Sequence, residues 1–248
     1  MRDVKDREAA AAIRHRFGSS PYVAFHAPRY AYLLDVVARF RPDPLNRVLD
    51  IGPSCLTTLL AEAIRVPVDS LGFEDEGPTD SGQHYSFDLN EAATPHTWRT
   101  GLPAYDLVVM AEVIEHLHTS PSLVLRFLRA VVRPGGIVII QTPNAATLQR
   151  RVKLALGRNP FDLINEDQSN PLHFREYTGP ELRRYASGAG FAVRELAYRN
   201  YFDLHYANDH SPNQRPRWVR TGEAFLLDIL PSSFRTGITM VLARPRDP

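Results

Sequence analysis

The sequence predicts an α/β domain in which a mostly parallel sheet carries helices on both faces. Short apolar runs of strand length alternate along the chain with segments of helical periodicity. Acidic and glycine residues follow directly after several of these runs, and ligands of such sheets bind beyond the carboxyl ends of the strands. The 248 residues, of which 44% are hydrophobic, are enough for one sizeable core. We therefore expect a single domain with a ligand site at one edge of its sheet.

The predicted elements follow one another in a regular order. Strands are expected at residues 47–51, 70–74, 85–87, 106–110, 137–141, 191–198 and 237–243. Helices are expected at residues 4–17, 29–40, 56–64, 113–118, 123–132 and 178–186. The last of these helices begins at Thr178, because Pro180 and Glu181 complete a capping box with proline in the first turn.

Composition and charge argue against several classes of protein. The formal net charge of +1 gives no general attraction to nucleic acid or to an anionic membrane. No window approaches the roughly 18 uninterrupted apolar residues of a membrane span, and residues 1–17 lack the apolar stretch of a secretory signal. Cys55 is the single cysteine and cannot form an internal disulfide. We expect a cytoplasmic protein, and a homo-oligomer is compatible with the sequence.

Two acidic residues indicate a ligand site at the ends of the first two strands. Asp50 and Gly52 close the first strand, where a glycine lets the backbone turn closely around a ligand at a helix N-terminus. An ordinary strand-to-helix turn has the same residues, so this motif alone leaves both interpretations open. Glu74 closes the next strand, at the position where acids of nucleotide-binding folds accept hydrogen bonds from ribose hydroxyls. The order and spacing of the two motifs favour a nucleotide-containing cofactor.

Five successive motifs resemble those of class I S-adenosylmethionine-dependent methyltransferases. They lie at residues 48–52, 72–74, 86–90, 105–117 and 133–144. The most specific are YDLVVMAEVIEHL and LRAVVRPGGIVIIQTPN, and HFREYTGPELRRYASGAGF is similar to the stretch before the sixth strand of that family. The resemblance covers residues 46–199, and residues 237–244 are similar to the final hairpin strand. It implies a Rossmann-like seven-stranded sheet whose last strand is antiparallel, with S-adenosylmethionine as the methyl donor.

The resemblance also implies which residues bind the cofactor. They are Asp50, Gly52, Ser54, Glu74, Asp88, Leu89, Met110, Ala111 and Glu112. The motif at residues 50–54 lines the methionine end of the cofactor, and Glu74 holds the ribose. Residues 88–89 flank the adenine, while residues 110–112 pass near the sulfonium.

One motif departs from the family pattern. The first loop is usually written D-x-G-x-G-x-G, whereas Ser54 and Leu56 stand here in place of the later two glycines. Ser54 still offers a backbone N–H and a hydroxyl, but Leu56 restricts the backbone of the loop. A catalytically inactive scaffold that only binds S-adenosylmethionine is therefore one alternative function.

A second group of polar residues follows the fourth strand. On a helix, their offsets of three and four residues place Glu112, Glu115 and His116 on one face. Together with His173 they offer carboxylate and imidazole ligands suited to Mg²⁺, Mn²⁺ or Fe²⁺. The pattern E-x-x-E-H…H resembles the metal site of small-RNA 2′-O-methyltransferases, and ubiquinone-type O-methyltransferases have a similar E-x-x-E-H. The four residues are expected to converge at the mouth of the cofactor site around Mg²⁺ or Mn²⁺.

Three roles stay open for this group. With a bound metal, Glu115, His116 and His173 are catalytic residues that activate the acceptor. Without a metal, His116 or His173 acts as a general base on a substrate hydroxyl. In a purely structural role, Glu112 caps the helix and His116 makes a hydrogen bond in its first turn.

These features predict O-methyl transfer to the hydroxyl of a small molecule, with a sugar, glycoside or natural product as the favoured acceptor. The sulfonium donor already carries its leaving group, so the protein must align the acceptor and remove its proton. Residues 1–45 form N-terminal helices, and residues 46–144 form the cofactor-binding core. Residues 145–177 cover the acceptor pocket, and residues 178–248 complete the sheet.

Two further alternatives concern partners. An RNA 2′-O-methyltransferase is suggested by the E-x-x-E-H…H pattern alone, and the near-neutral charge disfavours nucleic acid as a partner. Residues 145–171 mix basic and apolar side chains. Such a segment fits a solvated surface helix, and it is also compatible with contact to a membrane or an anionic substrate.

Overall fold

The computed structural model describes residues 2–17, 20–73, 82–161, 163, 172–200 and 216–246. Within these residues seven strands form one sheet. They are β1 Val48–Ile51, β2 Val68–Gly72, β3 His84–Ser86, β4 Tyr105–Ala111, β5 Val132–Pro143, β6 Ala192–Arg199 and β7 Gly237–Ala243. Their spatial order is β3-β2-β1-β4-β5-β7-β6. The first five strands are parallel, and β7 runs antiparallel to both of its neighbours. The predicted seven-stranded, mostly parallel sheet with an antiparallel last strand is confirmed.

Helices cover both faces of the sheet. Those described are α1 Arg2–Phe17, α2 Pro21–Phe40, α3 Cys55–Ile64, α4 Pro121–Val131, α5 Leu148–Ala155, α6 Gly179–Gly188 and α7 Arg217–Ile229. Along β4, Val108 and Met110 pack into a core cluster with α4 and α6, whereas Leu107 and Val109 pack into another with α1, α2 and α3. Successive strand side chains point to opposite faces, so a strand buried on both faces is apolar throughout. No helix among the described residues is long and apolar enough to cross a bilayer.

Two of the predicted helices differ from the structure. Helix α2 begins at Pro21 rather than at residue 29. Pro28 lies inside it, whereas proline in a sequence ordinarily indicates the start of a helix. The helix predicted at residues 113–118 is wrong, because only a 3-10 turn forms at Ile114–His116. The N–H of His116 donates to the carbonyl of Val113, and Leu117 is already extended. Helix α7 was not predicted.

The carboxyl end of β5 is tied to the start of β7. Pairing runs without interruption from Ile137 opposite Ala243 to Pro143 opposite Gly237. Just beyond it, the side-chain amide of Asn144 donates to the carbonyls of residues 233 and 235 at 2.9 and 2.8 Å. These hydrogen bonds place the 3-10 turn Ser232–Phe234 against the edge where the parallel strands end.

We predict that removal of residues 201–248 unfolds the chain. The deletion takes out β7, all seven residues of which are buried between β5 and β6, so both neighbours lose their hydrogen-bond partners. Near-ultraviolet circular dichroism and thermal melting would measure the loss. A chain ending at residue 246, which retains β7, is the control. A truncated chain that melts cooperatively as a monomer would contradict the expectation of a single domain.

Candidate active site

The turn between β1 and α3 is held by hydrogen bonds rather than by a run of glycines. Asp50 is buried and accepts a hydrogen bond from the hydroxyl of Thr57 at 2.7 Å. Gly52 has a φ of 75° and donates its N–H to the carbonyl of Leu71 at 2.9 Å. A Cβ at Gly52 would lie 2.8 Å from a methyl group of Val113, so only glycine fits without a shift. The turn that follows β1 therefore approaches the turn that follows β4.

Ser54 and Leu56 replace the later glycines without opening this turn. Ser54 is the N-cap of α3 and forms a capping box with Thr57. Leu56 lies in the first turn of the helix, where its side chain is 3% exposed and belongs to the core. The side chain of Leu56 therefore points into the core and not into the turn.

The residues predicted to flank the adenine lie beyond β3. Asp88 caps the 3-10 helix Leu89–Ala93 by accepting a hydrogen bond from the N–H of Asn90 at 2.9 Å. Leu89 is buried in the core. The side-chain oxygen of Asn90 accepts from the N–H groups of residues 118 and 119, which ties this loop to the segment before α4. Glu74, predicted to hold the ribose, lies outside the described residues.

At the end of β4, the residues predicted near the sulfonium differ in their exposure. The side chain of Met110 is fully buried, so Met110 offers this edge only its backbone. Ala111 is half-buried and pairs with Gln141 of β5. Glu112 has a φ of 56°, in the left-handed region, and donates its N–H to the carbonyl of Gln141 at 2.8 Å. Such a backbone costs a non-glycine residue on the order of 1–3 kcal/mol and is found mostly at functional sites.

The side chain of Glu112 points toward Arg29 of α2. One guanidinium nitrogen, Nη1, lies 3.8 Å from Oε1 of Glu112, and Arg29 is only 2% exposed. Neither Nε nor Nη1 of Arg29 has a hydrogen-bond partner among the described residues. Burial raises the pKa of Glu112, and the charge of Arg29 only partly opposes this rise. Beside them His26 is buried, and burial together with Arg29 lowers its pKa to about 3, so its imidazole is neutral at physiological pH.

Glu115, His116 and His173 lie together at the same edge. Each offers one ligand atom, and these atoms lie within 4.8 Å of one another. Glu115 is fully buried; its Oε2 accepts from the hydroxyl of Thr142 at 2.9 Å, and its Oε1 has no hydrogen-bond partner among the described residues. Burial, reinforced by the nearby carboxylate of Glu112, raises the pKa of Glu115 well above its usual value. The cluster therefore combines one buried carboxyl group with two partly exposed imidazoles.

Each imidazole of the cluster is oriented by a hydrogen bond at Nδ1. His116 donates from Nδ1 to the carbonyl of Leu172 at 2.8 Å, and Nδ1 of His173 lies 2.8 Å from a carboxylate oxygen of Glu176. Glu176 also forms an ion pair with Arg150 of α5. On each ring Nε2 lies on the side away from that contact, and Nε2 of His116 is 4.0 Å from Oε1 of Glu115. Metal-bound histidines in proteins are typically oriented in this way.

The structure thus separates the four predicted metal ligands into a group of three and a single residue. Glu115, His116 and His173 converge, whereas Glu112 points toward Arg29. No sequence pattern indicated Arg29, Thr142 or the Arg150–Glu176 pair, because each contacts the site from a part of the chain that is distant in sequence. The only local signal was the spacing of three residues between His173 and Glu176.

Comparisons with known proteins agree with this architecture. Residues 25–196 match the family model described as a methyltransferase domain. The chain is 36% identical over 90 residues to a Mycolicibacterium smegmatis protein named "Probable S-adenosylmethionine-dependent methyltransferase", which corresponds to 36% of this chain and 30% of that protein. It is 30% identical over 100 residues to the ubiquinone biosynthesis O-methyltransferase of Aeromonas salmonicida, 40% of this chain and 41% of that protein. The matched stretch therefore spans less than half the length of either relative.

A solved structure extends the comparison to nearly the whole chain. A SAM dependent methyltransferase from Archaeoglobus fulgidus superposes with a TM-score of 0.57 at 17% identity, covering 93% of this chain and 97% of that one. At this identity the likeness concerns the fold. The family model, in contrast, matches well over half of the sequence. The chain belongs to the methyltransferase domain family, within the class I S-adenosylmethionine-dependent methyltransferases.

Proposed function

We propose that the protein transfers a methyl group from S-adenosylmethionine to a hydroxyl group of a small molecule, with a sugar, glycoside or natural product as the favoured acceptor. Glu115, His116 and His173 hold a divalent ion, Mg²⁺ or Mn²⁺. The observation that carries the proposal is the buried carboxyl group of Glu115, one oxygen of which has no hydrogen-bond partner among the described residues and lies near two oriented imidazoles at the carboxyl edge of the sheet. The similarity to the Aeromonas relative, which is named as an O-methyltransferase, supports the choice of an oxygen acceptor.

The donor lies between the turn after β1 and residues 110–112. Gly52 lets the backbone pass close to the methionine end, and Asp88 and Leu89 flank the adenine. Arg29 is suited to the carboxylate of the methionine part, since it is buried and has two nitrogens without hydrogen-bond partners among the described residues. A charged donor in such a position gains a strong, charge-assisted hydrogen bond when an anion arrives. When bound, the donor supplies a methyl group on a positively charged sulfur.

The residues of the cluster prepare the acceptor. A hydroxyl group is a poor nucleophile at neutral pH, and a divalent ion lowers its pKa. Glu115 offers a carboxylate oxygen of the kind that Mg²⁺ and Mn²⁺ prefer, and the two imidazoles offer nitrogen ligands typical of transition-metal ions, so the set fits Mn²⁺ better than Mg²⁺. In the alternative without a metal, Nε2 of His173 accepts the acceptor's proton, and Glu176 stabilises the positive charge that results on the imidazole. The chain's own contribution is therefore alignment, exclusion of water from Glu115, and removal of one proton.

We predict that two substitutions weaken donor binding in calorimetry. Glu74→Ala removes the acceptor for the ribose hydroxyls, and Arg29→Met removes the partner of the carboxylate. A hydrogen bond to a charged group is worth about 1.5–3 kcal/mol, so each affinity should fall roughly tenfold to a hundredfold. Glu91→Ala, at an exposed carboxylate, is the control. Unchanged affinity in either variant, with unchanged melting, would remove the corresponding assignment.

We predict that methyl transfer requires a divalent ion and is lost in excess EDTA. Alanine at Glu115, His116 or His173 should lower turnover far more than donor affinity, because these residues act on the acceptor. Manganese binding, followed by electron paramagnetic resonance, should weaken in the same variants. His118→Ala is a matched control, since His118 is exposed, lies two residues beyond His116 and is outside the cluster.

The outcomes of this experiment separate the three roles. Full activity in EDTA would exclude the ion and leave His116 or His173 as a general base. If His173→Ala then kept full activity, the cluster would be structural. Glu112 stays a predicted fourth ligand, and Glu112→Gln should lower manganese affinity only if its side chain leaves Arg29 when the ion binds.

We also predict that Glu115→Gln stabilises the metal-free protein. The folded chain holds the proton of Glu115 more tightly than the unfolded chain does. Stability is therefore lost as pH rises from about 4.3, the ordinary carboxyl pKa, toward the raised value in the folded state. The glutamine variant should lack this loss, and each kcal/mol regained raises the melting temperature by about 2–4 °C.

The measurement is the difference in melting temperature between variant and parent across the pH range in EDTA. Glu91→Gln should follow the parent at every pH, and manganese should stabilise the parent but not Glu115→Gln. Parallel profiles of parent and Glu115→Gln would show that the Glu115 carboxyl group is not destabilising.

A further inference from the structure

We infer that α5 and α7 form a surface that docks the protein on an anionic lipid bilayer beside the cluster of Glu115, His116 and His173. We call this the interfacial surface, and it consists of the described residues within 147–163 and 216–234. It is independent of methyl transfer and does not require the proposed function to be correct.

Helix α5 and the segment after it present apolar side chains to solvent. None of the residues of α5 is buried. Leu154 is 65% exposed, Leu156 67% and Leu163 86%. Large apolar side chains exposed next to one another indicate an interaction site more than a solvated surface.

The same segment is strongly basic. Residues 147–163 contain Arg150, Arg151, Lys153 and Arg158 against one acidic residue, Asp162, although the whole chain has a net charge of only +1. Lys153 and Arg158 are exposed, while Arg150 is engaged by Glu176. Cations interspersed with apolar residues on a short surface helix are typical of segments that lie in the headgroup region of an anionic bilayer. An acidic protein surface would match the charges but would leave the leucines without partners.

Helix α7 adds aromatic residues to this surface. Trp218 is 77% exposed, Phe225 64% and Ile229 64%. Their spacings of seven and four residues place them on one side of the helix. Leu227, nine residues after Trp218, is buried and fixes the opposite side to the protein. Tryptophan at such a position is favoured at the boundary between headgroups and acyl chains.

The two helices meet at the 3-10 turn Ser232–Phe234. The guanidinium of Arg151 lies 4.3 Å from the centre of the Phe234 ring, and α7 leads into the same turn through residues 230 and 231. Asn144, at the end of β5, holds the turn by its hydrogen bonds to residues 233 and 235. Through Arg150 and Glu176, α5 is also joined to His173. A bilayer on the interfacial surface therefore lies next to the cluster, and an acceptor carried on a lipid would be presented to it.

The first test uses the full chain with vesicles of phosphatidylcholine, alone or mixed with phosphatidylglycerol. Cosedimentation should occur with the mixed vesicles and decrease with added salt. Trp218 supplies a direct signal, because the other tryptophan, Trp98, packs against Phe127 in the core. Its fluorescence should shift to shorter wavelength on binding, and Trp218→Phe should abolish the shift. No cosedimentation with phosphatidylglycerol vesicles would overturn the inference.

The second test places binding on the interfacial surface. The double variant Lys153→Glu/Arg158→Glu should weaken vesicle affinity at least about tenfold, since each cation contributes about 1 kcal/mol near an anionic bilayer. Arg99→Glu/Arg126→Glu reverses two exposed charges elsewhere and should bind like the parent. Equal losses in the two double variants would overturn the inference, because binding would then follow net charge alone. Concentration-dependent dimerisation that is abolished by Trp218→Ser without any vesicle binding would instead assign the surface to a second copy of the chain.

Discussion

Glu115, in the 3-10 turn that follows β4, holds a carboxyl group with no exposure to solvent. Ionising such a group is expensive, and a backbone hydrogen bond, the hydroxyl of Thr142 and the charge of Arg29 compensate only in part. The local backbone and two neighbouring imidazoles set the surroundings of this carboxyl group. The left-handed backbone at Glu112 and the short 3-10 turn bring Glu115 inward, and Leu172 and Glu176 orient two imidazoles beside it. The negative charge of the Glu115 carboxylate is neutralised either by a proton or by a cation. These two states differ in the chemistry that they allow.

The two acids that follow β4 face different neighbours. Glu112 faces α2, where Arg29 offers a positive charge, whereas Glu115 faces His116 and the segment that carries His173. Both residues belong to one backbone turn, in which Glu112 has a positive φ. Their carboxyl groups have different neighbours, although the charge of Glu112 still raises the pKa of Glu115.

The fold was largely predictable and the site only partly so. Strands such as residues 237–243 were predicted to the residue because burial on both faces demands continuous apolar runs. The prediction of a helix at residues 113–118 was wrong. The spacing of Glu112, Glu115 and His116 is that of one helical face, but the backbone has a left-handed conformation at Glu112. Because Pro28 lies inside α2, residues 21–28 were not predicted to be part of this helix. Arg29 lies near the centre of the complete helix. Contacts such as Arg150–Glu176 join residues far apart in the sequence, and no local pattern reports them.

The position of β7 has a consequence for how the protein is made. This strand follows β6 along the chain, yet it lies between β5 and β6 and connects them. On the ribosome, β5 and β6 are both synthesised before the strand that joins them, so the sheet cannot close until β7 emerges. Long-range pairings of this kind fold slowly and leave unpaired strand edges exposed in the meantime. The turn at residues 232–234, which Asn144 holds, arrives equally late. A nascent chain would therefore present an open β5 edge to chaperones until β7 has emerged and paired with it.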